Sequence, residues 1–192
     1  LPESLTVLPH DATNVDFVLK KGTGPAGTVV TPDGQPAAGA SIVLLSDDYN
    51  QAGFNSGGEL NAYGNRNKSV LRQADSEGHF SFKPVWGIKF VAAASSNGFA
   101  NLSLEAFASH SKIVLEPFGK ITGTLKRTSG PGTNESLGLM FAGVNSPRIN
   151  LSHQATTDAE GRFAFDHVPA GHLQVYVRQP VAGNQQTWSS EI

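Results

Sequence analysis

The chain has 192 residues, a formal net charge of −2 and a pI near 6.3, so it carries no basic footprint for nucleic acid or an anionic membrane surface. It contains no cysteine, which excludes disulfides, thiolate metal ligands and cysteine nucleophiles together. Gly (21) and Pro (11) are frequent and charged residues make up only 16%, a composition suited to short strands joined by turns in one large domain or two small ones.

Residues 1–14 hold one short apolar patch, Leu5-Thr6-Val7-Leu8, closed by Pro9. Val15 to Lys20 is a β-rich run. Gly22-Thr23-Gly24-Pro25-Ala26-Gly27 then matches the glycine spacing of a dinucleotide loop, but that loop must open a helix. Here the β-branched run Thr28-Val29-Val30-Thr31 follows, so the glycines predict a bend between strands. Pro32-Asp33-Gly34 is a turn in which Pro presets φ and Gly accepts a positive one. Ser41-Ile42-Val43-Leu44-Leu45 reads as a buried strand.

From Ser46 to Lys68 the pattern breaks. Five Asn, four Gly and the aromatics Tyr49, Phe54 and Tyr63 show no clean period, and a long polar loop is expected. Ser69 to Ala74 resumes the sheet and leads into Asp75-Ser76-Glu77-Gly78-His79-Phe80-Ser81-Phe82, a tight turn feeding a strand with two rings on one face. Ile88 to Ala93 and Phe99 to Leu104 form a hairpin pair around Ser96-Asn97-Gly98. Ser111 to Leu115 is a further strand.

The plan then restarts. Asp158-Ala159-Glu160-Gly161-Arg162-Phe163-Ala164-Phe165 repeats the Asp-x-Glu-Gly turn and its strand. Gly27-Thr28 aligns with Gly123-Thr124, an offset of 96, whereas Asp75 and Asp158 are 83 apart. The first copy is therefore 96 − 83 = 13 residues longer, and the Asn-rich stretch is the obvious carrier. The second copy continues with strands at Leu137 to Phe141, Ile149 to Leu151 and Leu173 to Val177, and Gln186 to Ile192 can close it. No segment sustains a 3.6-residue period. The expected fold class is all-β, with two tandem antiparallel, Ig-like β-sandwich modules. The first spans residues 1–116 with a long polar loop at about 47–68, and the second spans 117–192. The short linker Glu116-Pro117-Phe118-Gly119 holds them at a restricted angle.

Two stretches carry a family likeness. Gly27-Thr28-Val29 … Pro32-Asp33-Gly34-Gln35-Pro36-Ala37-Ala38-Gly39-Ala40-Ser41-Ile42-Val43 resembles the opening of carboxypeptidase regulatory-like domains. Thr157-Asp158-Ala159-Glu160-Gly161-Arg162-Phe163-Ala164-Phe165 … Val168-Pro169-Ala170-Gly171 resembles their second half. The second copy departs from the pattern at Gly132-Thr133-Asn134-Glu135-Ser136. The resemblance implies a transthyretin-like sandwich with a carbohydrate-binding-like fold, usually a non-catalytic accessory module in secreted, periplasmic or cell-surface proteins. Its partners would be other domains of the same longer polypeptide, a surface protein or a polysaccharide.

Candidate chemistry is sparse. A zinc carboxypeptidase needs an H-x-x-E pair, and none of the six histidines has Glu three places on. His167 and His172 share a loop without a carboxylate-rich partner set. Each Asp-x-Glu-Gly turn offers two carboxylates, short of the 6–8 oxygens that calcium takes, and Asp capping the turn accounts for it. No G-x-S-x-G elbow is present. No catalytic residue, metal site or cofactor is assigned, and the chain is expected not to be an enzyme. Three functions remain: a spacer or interaction unit, a carbohydrate-binding accessory domain and, as an outlier, a hydrolase on an unrecognised scaffold. For the second, Tyr49, Asn50, Asn55, Tyr63, Asn65 and Asn67 supply the amides and aromatic platforms that sugars require. No signal peptide is visible, and a chain that starts at Leu1 reads as a piece of something longer, which the resemblance implies is extracytoplasmic. No apolar run reaches the roughly 18 residues of a membrane span.

Overall fold

The computed structural model describes residues 22–46, 52–62, 70–142, 149–180 and 186–189. The runs expected around Leu5 and Val15 lie outside that range. The fold is all-β, with one five-residue helix among the described residues.

The first half contains β1 (Ala26–Val30), β2 (Ser41–Leu45), β3 (Ala52–Phe54), β4 (Leu60–Ala62), β5 (Val70–Gln73), β6 (His79–Ser81), β7 (Phe90–Ser95), β8 (Gly98–Ser103), α1 (Leu104–Ala108) and β9 (Lys112–Val114). The second contains β10 (Gly119–Thr124), β11 (Lys126–Arg127), β12 (Gly130–Pro131), β13 (Ser136–Phe141), β14 (Ile149–Leu151), β15 (Gln154–Thr156), β16 (Arg162–Val168), β17 (Leu173–Pro180) and β18 (Gln186–Ser189).

The repeat read from the sequence is also a repeat of topology. The larger sheet runs β5-β2-β7-β8 in the first half and β15-β13-β17-β18 in the second. The smaller sheet pairs β1 with β6 and with a parallel β9, and its counterpart pairs β10 with β16. Gly27 lies opposite Phe80 as Gly123 lies opposite Phe163, so both sequence offsets, 96 and 83, reappear as one register.

Strand alternation explains the packing. From the larger first sheet Ile42, Leu44, Val91 and Ala93 join Val29, Phe80 and Ile113 of the smaller sheet in one apolar cluster. α1 adds Phe107 to it, and the Ser103 Oγ caps that helix by accepting from the Ala106 N–H at 3.1 Å. Five residues are too few to show a helical period, so α1 is not legible in the residue pattern. The other parity, Val43, Leu45, Ala92, Ala94 and Phe99, faces the opposite side. There it shares a second cluster with Leu125, Leu137, Leu139, Phe165 and Val177 of the second half. All five residues of β2 are buried, which is why it reads as an unbroken apolar run.

The long polar loop expected at 47–68 is corrected over its described part. Residues 52–62 form a β3–β4 hairpin, and β3 pairs in parallel with β14 of the second half, Ala52 opposite Ile149 and Phe54 opposite Leu151. The Asn count masked a short apolar alternation around Ser56-Gly57-Gly58, the turn signal that was available. Ser41 pairs with Gln73 as Ser136 pairs with Thr156, offsets of 95 and 83, so the extra residues of the first copy fall between β2 and β5.

The expected hairpin forms, with β7 and β8 antiparallel around a turn at Ser96-Asn97, and only the place of its glycine differs. Gly98 lies in β8, and a Cβ there would sit 2.2 Å from the Glu116 carbonyl oxygen, so this glycine serves a close approach of the linker.

Candidate functional site

The two signature turns match atom for atom. In the first, the Asp75 Oδ1 accepts from the N–H groups of Glu77 (2.9 Å) and His79 (2.8 Å). In the second, the Asp158 Oδ1 accepts from those of Glu160 (3.0 Å) and Arg162 (2.7 Å). The His79 N–H, foremost, holds the Asp75 carboxyl below its usual range. Gly78 and Gly161 stand at φ 80° and 78°, and their carbonyls accept from Val29 and Leu125, each at 2.8 Å. Glu77 and Glu160 are exposed. One oxygen of each Asp is thus engaged by the backbone in a corner that sets strand register. Among the described residues no group of three or more His, Asp or Glu is placed to hold a metal ion.

Of the six residues expected to bind sugar, Tyr49, Asn50, Tyr63, Asn65 and Asn67 lie outside the described residues. Asn55 is described, and it builds the hairpin turn. Its Oδ1 accepts from the N–H groups of Gly57 and Glu59, both at 3.0 Å, and its Nδ2 donates to the Glu59 Oε2 at 3.2 Å. The preceding aromatic, Phe54, is fully buried.

Phe54 instead marks the seam between the halves. Its ring lies 5.1 Å from Phe99, 5.7 Å from the linker residue Phe118 and 5.6 Å from His153. Such aromatic contacts add about 0.5–1.5 kcal/mol each beyond the area buried. His153 is 1% exposed, and its Nε2 lies 3.0 Å from the carbonyl oxygen of His167, a residue at φ 53°. A carbonyl can only accept, so Nε2 carries the proton and neutral His153 leaves Nδ1 bare. Nδ1 has no hydrogen-bond partner. Burial, foremost, pushes the His153 pKa down. His167, read from the sequence as a loop histidine beside His172, is exposed and sets its ring edge-on to Phe118 at 5.4 Å.

Beside the hairpin lies a polar cleft of about 420 Å³. Its floor is the outer face of the first larger sheet at Ser41, Leu71, Gln73 and Ala94, and its wall is the hairpin stretch 57–61. Glu59, Asn61 and Gln73 bring one carboxylate and two amides to it. Sequence reading missed these three, because an Asn or Glu on a presumed loop has no assigned face until the hairpin fixes one. Comparison with family models, curated proteins and solved structures returned no match to this chain.

Proposed function

We propose that the chain is a rigid, non-catalytic spacer or interaction unit of an exported multidomain protein. In this reading it is a tandem pair of transthyretin-like β-sandwiches of the carboxypeptidase regulatory-like kind, with other domains of the same polypeptide as its partners. Its place is extracytoplasmic, which follows from the family resemblance alone. One observation carries the mechanical part of the reading: a single apolar cluster runs from Val43 and Leu45 through Phe54 to Leu137 and Phe165. A strand of one half also pairs with a strand of the other. Interfaces between domains of one chain are ordinarily more polar and permit relative motion, whereas a shared core transmits orientation from one end of a unit to the other. The two signature turns support the non-catalytic part, since each Asp caps a corner.

Backbone ¹⁵N relaxation of the whole chain tests the rigidity. One rotational correlation time should fit the amides of both larger sheets. Two separate tumbling times would refute the spacer reading.

A further inference from the structure

We propose that the cleft between the inserted hairpin and the first larger sheet binds a neutral or amino-substituted sugar residue. This goes beyond the spacer reading and does not depend on it. The cleft exists because the first copy departs from the second in two ways. Its floor has a small side chain at one position: the pairing that sets Ser41 beside Ala94 sets Ser136, one step beyond Leu137–Val177, beside Arg178 in the second half. Its wall, residues 57–61, lies between β2 and β5, the interval in which the first copy is longer than the second.

The wall is fixed before any ligand arrives. The Ser41 Oγ donates to the Ala94 carbonyl (3.2 Å) and accepts from the Leu60 N–H (3.0 Å), which pins β4 to the floor. Asn55 locks the turn through its three bonds. Gly58, at φ 85°, sits so close that a Cβ would lie 2.7 Å from the Ser95 carbonyl oxygen. A preformed site lowers the ordering cost of binding.

The chemistry of the lining selects the ligand class. The amides of Asn61 and Gln73 each present a donor and an acceptor in one plane, which matches adjacent hydroxyls of a sugar ring. Asn55 Nδ2 orients the Glu59 carboxylate, an acceptor for further hydroxyls or for an ammonium group. Leu71 and Ala94 offer apolar surface to ring C–H groups. Among the described residues no Lys or Arg lines the cleft, so Glu59 disfavours a uronic acid or a phosphate. The volume falls within the roughly 300–1,000 Å³ of small-ligand sites.

The test is an NMR titration of the whole ¹⁵N-labelled chain with methyl glycosides of glucose, mannose, N-acetylglucosamine, glucosamine and glucuronic acid. At least one neutral or amino sugar should move the amides of 57–61, 73 and 94–96, and the glucuronide should not. Asn61→Ala and Gln73→Ala, both at exposed positions, should each weaken binding about fivefold to tenfold with an unchanged melting temperature. The proposal fails if no sugar moves those amides at tens of millimolar, if the glucuronide binds best, or if the double variant binds as tightly as the wild type.

Discussion

The outer faces of the two larger sheets are built on the same strand order and differ in what covers them. In the first half Val43, Leu45, Phe90 and Ala92 point outward, and β4, β14 and the second core cover them. The paired backbone sets Gly138, Met140, Gln174 and Tyr176 at the corresponding places in the second half. There Met140 is 38% exposed, and Tyr176 folds over Gly138 so closely that a Cβ would meet its hydroxyl at 2.2 Å. The topology of the repeat leaves open which face receives a neighbour. A handful of side chains on alternate positions packs the outer face of one sheet and leaves Met140 exposed on the other.

The largest break in this asymmetry should come from Phe54→Ala. It removes a fully buried ring from the seam and should cost about 3–5 kcal/mol in urea unfolding. A loss under 1 kcal/mol would remove Phe54 from the seam's energetics. Leu45→Ala and Met140→Ala then compare corresponding positions directly. The first should cost about 2–5 kcal/mol and the second within about 0.5 kcal/mol. Equal losses would show that both outer faces are packed.

Gly78→Ala and Gly161→Ala probe what the halves share. Each glycine has a positive φ, and an added Cβ would lie 2.5 Å and 2.4 Å from the carbonyl oxygens of Val29 and Leu125. Each substitution should cost roughly 1–3 kcal/mol. A large effect in one turn and none in the other would mean that the corners are not equivalent.

The smallest expected effect is on pH dependence. Burial holds the His153 pKa in the folded chain below its unfolded value, which is near 6.5. Between those two values the unfolded chain binds more protons. His153 therefore contributes its full stability above about pH 6.5 and loses it as the pH falls through the window below. His153→Phe removes that component, so the stability of the wild type relative to the variant should decline from about pH 7.5 to pH 5. A constant difference would place a charge-tolerant environment around His153.

The all-β class, the repeat, its offsets and the signature corners were legible in the sequence. Each rests on local chemistry: alternation, a turn glycine and an Asp that caps its own backbone. The seam was not legible, because it depends on which face of β2 meets another part of the chain, and an apolar run such as Ile42-Val43-Leu44-Leu45 reads the same for either. His153 likewise sits in a polar-looking stretch, Ser152-His153-Gln154, and becomes a core residue only through contact with Phe54. The sugar-site residues expected from composition gave way, at Asn55, to a turn. The cleft then drew on Glu59, Asn61 and Gln73, whose common location is set by long-range pairing.

Residue-resolved urea unfolding of the whole chain, followed by amide signals from β2 and β7 in one half and β13 and β17 in the other, tests the shared core most directly. Coincident midpoints for the four strands are the expected result. Two separated transitions, with the second half melting while β2 and β7 stay folded, would contradict it.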